Sequence, residues 1–324
     1  MRTTTFRLSL LALVSSLSLG CELELVAEYL PAAEENIHPA YRVAAVSDNH
    51  EFLFIASATT GELKMMGTNG TEVDEFALSS TWRPVAAATY YGPDFDAFGI
   101  GQANEAGLVL HANGSILPWF HHGGQLRYHW DGVIAVPASP AGGTRTVVDV
   151  DQSKDGVLFV LTEESPAAGG PQSRLWRRET DGTWTSVVGA SKVSAMAYDQ
   201  HTEDVTVALT RTSARDVTLV EYDDDLSYRR SRTVPDLRAV TDFEVLAATF
   251  YMGVHTCGNA QCTSGDPELQ IRDLNLALDD SDAVRAEAIA LDLPPFPIDA
   301  DSNIELWRAG ADVMQVGHYD VITD

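Results

Sequence analysis

Lysine is nearly absent: Lys64, Lys154 and Lys192 are the whole complement in 324 residues. Together with arginine the basic residues number 21 against 47 Asp and Glu, giving a formal net charge of −26. So acidic a surface repels phosphate, which excludes nucleic acid as a partner and excludes a basic patch for anionic lipid headgroups. Long apolar runs are missing too. No segment approaches the roughly eighteen residues that a membrane-spanning helix needs, so none is expected. Reaction motifs are absent: there is no Gly-x-Ser-x-Gly elbow, no phosphate-cradling glycine loop and no His-Glu-x-x-His helix. Helical periodicity is scarce as well, with Asp282 to Leu291 the one stretch that exceeds two turns. Against these gaps stands a 45% hydrophobic content with 6 Trp, 11 Phe and 10 Tyr, too apolar and evenly spread for a disordered chain. The length suffices for a large buried core.

The first twenty residues read as an address. Arg2 and Arg7 precede the apolar and serine-rich stretch Leu8 to Leu19, the pattern of a secretory signal over residues 1–20. Ser18-Leu19-Gly20 before Cys21 suits signal cleavage and resembles the bacterial lipobox, which implies that Cys21 carries a lipid and becomes the N-terminus. Three cysteines is an odd count for an exported chain. Assigning Cys21 to lipid leaves Cys257 and Cys262 to pair as a disulfide, whereas ordinary secretion leaves one cysteine unpaired. Glu22 replaces the aspartate that retains such lipoproteins at the inner membrane, so the outer membrane is the expected destination. Loss of Arg2 and Arg7 with the signal lowers the basic count from 21 to 19 and takes the net charge to −28. Membrane attachment then depends on the lipid alone.

From residue 43 onward a period is visible. Runs beginning with valine recur as Val43 to Val46, Val85 to Ala88, Val147 to Val150, Val193 to Met196 and Val240 to Phe243. Each leads through a polar turn to a second β-rich run: Phe52 to Ile55, Phe95 to Ile100, Val157 to Val160, Val205 to Ala208 and Thr249 to Met252. A third strand, a tight turn and a fourth strand follow. The turns are Asn69-Gly70, Asn113-Gly114 and Asp181-Gly182, with Asp224-Asp225 and Asn275 in matching places. Asn-Gly and Asp-Gly suit a type I′ hairpin, whose central residues both need positive φ. Successive starts lie 42, 62, 46 and 47 residues apart, the spacing of four-stranded propeller blades. The fold expected is therefore all-β: a β-propeller over residues 43–324, six-bladed with seven as the other count, and a two-sheet sandwich as the alternative architecture. Residues 21–42 are free to complete the last blade beside Ile304 to Val321, which removes an open sheet edge. At Val147-Val-Asp-Val-Asp151 and Asp155-Gly156-Val-Leu-Phe-Val160 the chain resembles the first hairpin of an NHL-like six-bladed propeller repeat. That resemblance implies architecture and no activity.

Chemistry has two candidate places. The 62-residue interval holds Trp119, His121, His122, Tyr128, His129 and Trp130. Its histidines are candidate transition-metal ligands and its aromatic faces candidate sugar platforms, while strands packing aromatic side chains between blades account for the same residues. The third position of each inner run reads Ala45, Ala87, Asp149, Ala195 and Asp242. Asp149 and Asp242 are candidate ligands for Ca²⁺ in a central channel, which takes six to eight oxygens; capping a strand end or pairing with arginine is the plainer role. Alternating oxygen donors at Asp149, Asp151, Ser153 and Asp155, and again from Asp299 to Glu305, lack the glycine and glutamate of a calcium loop. The function expected is an envelope-facing module that binds or assembles with an extracellular protein or glycan. A Ca²⁺-dependent hydrolase, lactonase- or glycosidase-like, is the alternative.

Overall fold

Alternating apolar runs become strands because a pleated strand sends successive side chains to opposite faces, so each strand can feed two cores at once. The computed structural model describes residues 24–29, 41–46, 52–57, 62–67, 72–77, 82, 84–89, 105–122, 125–129, 132–200, 202–210, 216–235, 237–246, 249–257, 267–273, 287–289, 302–308 and 313–320. Strand β1 (Glu24–Tyr29) comes first in the chain and joins the last sheet. One sheet holds β2 (Tyr41–Val46), β3 (Phe52–Ser57), β4 (Glu62–Gly67) and β5 (Glu72–Ala77). The next holds β6 (Pro84–Thr89), β7 (Glu105–His111), β8 (Ser115–His122), β9 (Gln125–Tyr128) and β10 (Ile134–Ala135). A third comprises β11 (Thr144–Gln152), β12 (Leu158–Ser165), β13 (Gln172–Arg178) and β14 (Trp184–Gly189). The fourth comprises β15 (Val193–Asp199), β16 (Asp204–Thr210), β17 (Asp216–Asp223) and β18 (Tyr228–Pro235). The fifth comprises β19 (Leu237–Leu246), β20 (Thr249–Thr256), β21 (Pro267–Asp273) and β22 (Glu287–Ile289). Last, β23 (Ser302–Arg308) and β24 (Val313–Asp320) take β1 as their third strand, in the order β1-β24-β23.

The first strand of each sheet touches that of the next, in the cycle β2, β6, β11, β15, β19, β23 and back to β2. A cycle of six sheets among the described residues is the geometry of a propeller; a sandwich has no such closure. The final blade is closed by chain ends, with β1 running parallel to β24 from Glu24↔Val313 to Tyr29↔Gly317. Between blades the pleat fills three described cores. Leu108, Leu110 and Ile116 meet Val147, Val150, Leu158 and Val160. Phe159 and Leu161, on the opposite face of β12, meet Met196, Tyr198, Val205 and Val207. Ala195, Ala197, Ala208 and Leu219 meet Val240, Met252 and Val254.

Three local expectations are corrected. The tight turns among the described residues are not type I′, and Asn69-Gly70 and Asn275 lie outside them. Gly182 N–H donates to Glu179 C=O at 2.9 Å, Glu179 N–H donates to Thr183 C=O at 2.9 Å, and positive φ falls on Gly182 (92°), not on Asp181. This is a type I turn followed by one left-handed residue. It recurs at Gly156 (φ 84°) and at Leu226 (φ 70°). Leu226 tolerates that backbone because its side chain is buried in the core between the third and fourth blades. The Asp224-Asp225 pair is thus well suited to its turn, since the left-handed place lies one residue later. In the second blade, Asn113-Gly114 joins the second and third strands, β7 and β8, because β7 occupies the second place expected for Phe95 to Ile100, which lies outside the described residues. Within Asp282 to Leu291, Glu287–Ile289 is strand, paired to β21. Among the described residues no helix is long and apolar enough to cross a membrane.

Candidate functional site

An innermost strand has a neighbour on one side only, so the amides of alternate residues face out with no ladder to join. In β15 these include Met196 and Tyr198, and the preceding blade supplies their acceptors. Asp149 Oδ2 accepts the Met196 N–H at 2.7 Å, and its Oδ1 accepts the Val150 N–H at 2.8 Å. Asp151 repeats the arrangement two residues on: Oδ2 accepts from Tyr198 N–H at 2.7 Å and Oδ1 from Gln152 N–H at 2.7 Å. Gln200 continues the series from the other side. Its Nε2 donates to Gln152 C=O at 2.8 Å and its Oε1 accepts from Lys154 N–H at 2.7 Å. Side chains at every second residue therefore lace β11 to β15 as a third strand would. Beneath them Phe159 stacks on Tyr198, ring centroids 5.0 Å apart.

A β-bulge aims this lacing. Pairing skips a residue between Val147 and Asp149, and likewise between Val43 and Ala45, Val193 and Ala195, and Val240 and Asp242. The inner column read from sequence is thus the residue just after a bulge, a device that re-aims side chains. In the second blade the skip, between Pro84 and Ala86, falls one place earlier than Ala87 would need. Asp149 sits half-buried with both oxygens taken by backbone donors. Asp242 of β19 pairs with Gly253 of β20, and its side chain lies outside the described residues. Among the described residues no three His, Cys, Asp or Glu are grouped to hold a metal. A cation needing six or more oxygens does not fit the described surroundings of Asp149.

The long interval forms the outer part of the second blade. Strand β9 folds back on β8 with Trp119↔Tyr128 and His122↔Gln125 in register, while β10 covers the other end of β8 at Ile134↔Ile116. Trp119 is fully buried and Tyr128 is 6% exposed, and burial pushes the Tyr128 phenol up. Trp119 lies over Gly107, its cross-strand neighbour in β7. A Cβ at 107 would stand 2.4 Å from the indole Nε1, so glycine is required there for packing. These two aromatic residues serve the interior. His129 is half-buried and its ring lies against Gly132. The side chains of His121 and His122, and Trp130 as a whole, lie outside the described residues.

Sequence reading passed over two buried polar groups. His111, at the end of β7, is fully buried beside Trp82, with ring centroids 5.0 Å apart and planes at 86°. Burial drives its imidazole down to about 4, so it is neutral at physiological pH. Glu164, also fully buried, accepts from Arg174 Nε at 3.0 Å, Ser139 Oγ at 2.9 Å and Gln172 Nε2 at 3.3 Å. Arg174 in turn lies 5.3 Å from the Trp176 ring centre. Burial alone would raise the Glu164 carboxyl, but those donors and the Arg174 charge hold it below its ordinary value. The network fastens the segment that leaves the second blade to the third. A buried glutamate facing an arginine ten residues later in the neighbouring strand was a readable signal, though not one of catalysis.

No protein-family model matches the chain, and no curated protein sequence does. Solved structures do match in shape. Hydrazine synthase from Kuenenia stuttgartiensis is similar with a TM-score of 0.53 and 13% identity, over 85% of this chain and 72% of that one. A luciferin-regenerating enzyme is similar with a TM-score of 0.52 and 11% identity, over 83% and 84% respectively. With a closed ring of six sheets, the architecture is decided. The chain is a β-propeller. Likeness at this identity carries the fold and nothing of the neighbours' chemistry, so the propeller's function rests on its own residues.

Proposed function

We propose that this propeller is a binding or assembly module of the cell envelope, exported by residues 1–20 and held to the outer membrane by a lipid on Cys21. Its partner is an envelope or extracellular protein or a glycan, in keeping with the acidic surface. The observation that carries this reading is the Asp149 carboxylate. The alternative, a Ca²⁺-dependent lactonase- or glycosidase-like hydrolase, needs that group for metal or substrate, and both of its oxygens instead serve the seam between two blades. Support for an NHL-like repeat comes from Asp151, one residue before the end of β11, and the Gly156 turn into β12. A Cys257–Cys262 bridge is part of the same proposal: Cys257 follows β20 directly, and Cys262 lies outside the described residues.

Melting in excess calcium and in EDTA separates the two functions. The module reading expects midpoints within about 1 °C of each other. A calcium-dependent rise of about 5 °C or more that disappears in Asp149→Ala would overturn it in favour of the hydrolase. The anchor has its own measurement. Cys21→Ser is expected to move the protein from the outer-membrane fraction to the soluble one, and an unchanged distribution would sink the lipid assignment.

A further inference from the structure

The place where β1 starts decides which way the ring faces a membrane. Glu24 is level with Val313, the first residue of β24, and β1 runs parallel to that strand. Strand β24 lies antiparallel to β23, with Arg308↔Met314 at one end and Ser302↔Asp320 at the other. The start of β1 therefore stands at the end of the sixth blade where β23 leads into β24. The repeat carries that end round the ring. Inner strands run one way, since β11 and β15 advance together from Asp149 beside Met196 to Gln152 beside Gln200. Antiparallel order within each blade then sends the first-to-second and third-to-fourth turns to one face. In the third and fourth blades that face holds Asp155, Asp181, Glu203, Asp224 and Asp225. The connections at the other end are 136–143, 166–171 and 190–192.

The two faces differ in charge. On the turn face Arg177 and Arg178 offset Glu179 and Asp181, and Lys154 stands beside Asp155. Glu203, Asp224 and Asp225, all exposed, remain and make this face acidic. Burial, and then the charges of Glu203, Asp224 and Asp155, push the Tyr198 phenol up, so these carboxylates act as one field. Opposite them, 136–143 and 166–171 carry no charge and 190–192 carries Lys192 alone. The two longer loops form one surface. Ser139 Oγ donates to Glu164 at 2.9 Å, and a Cβ on Gly143 would stand 2.1 Å from the Ser165 carbonyl oxygen. Anionic headgroups repel carboxylates across a screening length of roughly 8 Å. Charge alone would therefore turn the acidic face away from a bilayer.

Chain length acts the other way. Cys21 stands three residues before Glu24, and three extended residues reach about 10 Å. From Val313, level with Glu24, to Asp320 at the far end, β24 rises about 23 Å. The uncharged face thus lies beyond the reach of a lipid on Cys21. We propose that the tether seats the ring with its acidic turn face toward the outer-membrane headgroups, against charge, and presents the uncharged face to the partner. The start of β1, set at the turn face, decides the pose. The inference rests on the Cys21 anchor and adds an orientation to it.

The test uses the mature lipidated chain in vesicles of phosphatidylethanolamine and phosphatidylglycerol, with a rhodamine-headgroup lipid as energy acceptor. A donor dye is carried on azidophenylalanine placed singly at the exposed positions Glu203, Asp224, Ala141 and Ala168. Energy transfer from 203 and 224 should exceed that from 141 and 168 by about twofold or more, given the roughly 23 Å between the faces. The reverse order, which charge favours, overturns the pose. A glycine-serine linker of about twenty residues inserted after Glu22 spans about 25 Å and should erase or invert the difference. A difference that survives the linker overturns the tether as its cause. A mature chain that fails to float with the vesicles, behaving like Cys21→Ser, overturns the anchor and the pose together. One that floats and yet transfers evenly from all four positions overturns the pose and leaves the anchor in place.

Discussion

Replacing Asp151 with alanine is expected to cost about 3 kcal/mol of stability and to lower the melting midpoint by about 5 °C. Asp151 is 5% exposed, and its two oxygens hold the amides of Gln152 and Tyr198 at 2.7 Å each. Alanine leaves both donors facing a space too confined for free solvation, and each orphaned buried group costs about 1–3 kcal/mol. Asp151→Asn should recover only part of the loss, because an amide offers one oxygen and turns an N–H toward the other donor. Asp149→Ala should cost less, since its half-buried site admits water as a substitute acceptor. Asp155→Ala, at an exposed turn position, is the control and should stay within about 0.5 kcal/mol of the parent. Thermal or urea unfolding of the four variants measures the order. A melting point for Asp151→Ala within about 1 °C of the parent would show that the seam is not held by these carboxylates.

The seam also marks where the sequence stops being legible. Strands were readable because their signal is local: valine-led runs such as Val147 to Val150 and Val193 to Met196 alternate at the pleat period, and turns punctuate them. Ring closure was readable because an unpaired edge is costly, which sends residues near the N-terminus to the last sheet, and β1 lies on β24. The role of Asp149 was not readable, since its partner Met196 lies 47 residues away, a distance set by the blade repeat and not by any motif. Without the strand orientation, a lone carboxylate in an inner column looks like a metal ligand. The bulge before it leaves no mark in residue type either, being Ala44, Val148, Ser194 and Thr241 in four blades. Turn class was misassigned for a related reason. Asn-Gly and Asp-Gly satisfy two turn geometries, and only Leu226 at φ 70° reveals which residue must be left-handed. Trp119 and Tyr128 take the packing role that the sequence offered beside ligand binding, but their cover, which includes Gly107 on the neighbouring strand, was beyond residue counting.

Glu164 offers the sharper contrast between removing one charge and removing two. Glu164→Gln leaves the Arg174 guanidinium, 8% exposed, without its counter-charge, and an uncompensated buried ion costs about 3–5 kcal/mol. A double change, Glu164→Met with Arg174→Met, removes both ions and keeps the volume, so it should recover at least half of that loss. It will not recover all of it, because Ser139 and Gln172 lose their acceptor. The pH dependence follows from the same carboxyl. Its folded value is held below the ordinary 4.5, the largest opposing effect being burial and the deciding ones the Arg174, Ser139 and Gln172 hydrogen bonds. Folding therefore gains from this ionisation above pH 4.5 and loses the gain as pH falls through the depressed folded value. Asp204 acts in the other sense, since burial raises it despite Arg229 at 2.8 Å, so its protonation on acidification favours the folded state. Urea midpoints taken from neutral pH down to the acid limb should fall less steeply for the double variant than for the parent. Equal slopes, or a double variant no more stable than Glu164→Gln, would mean that the network holds the third blade by packing and not by charge.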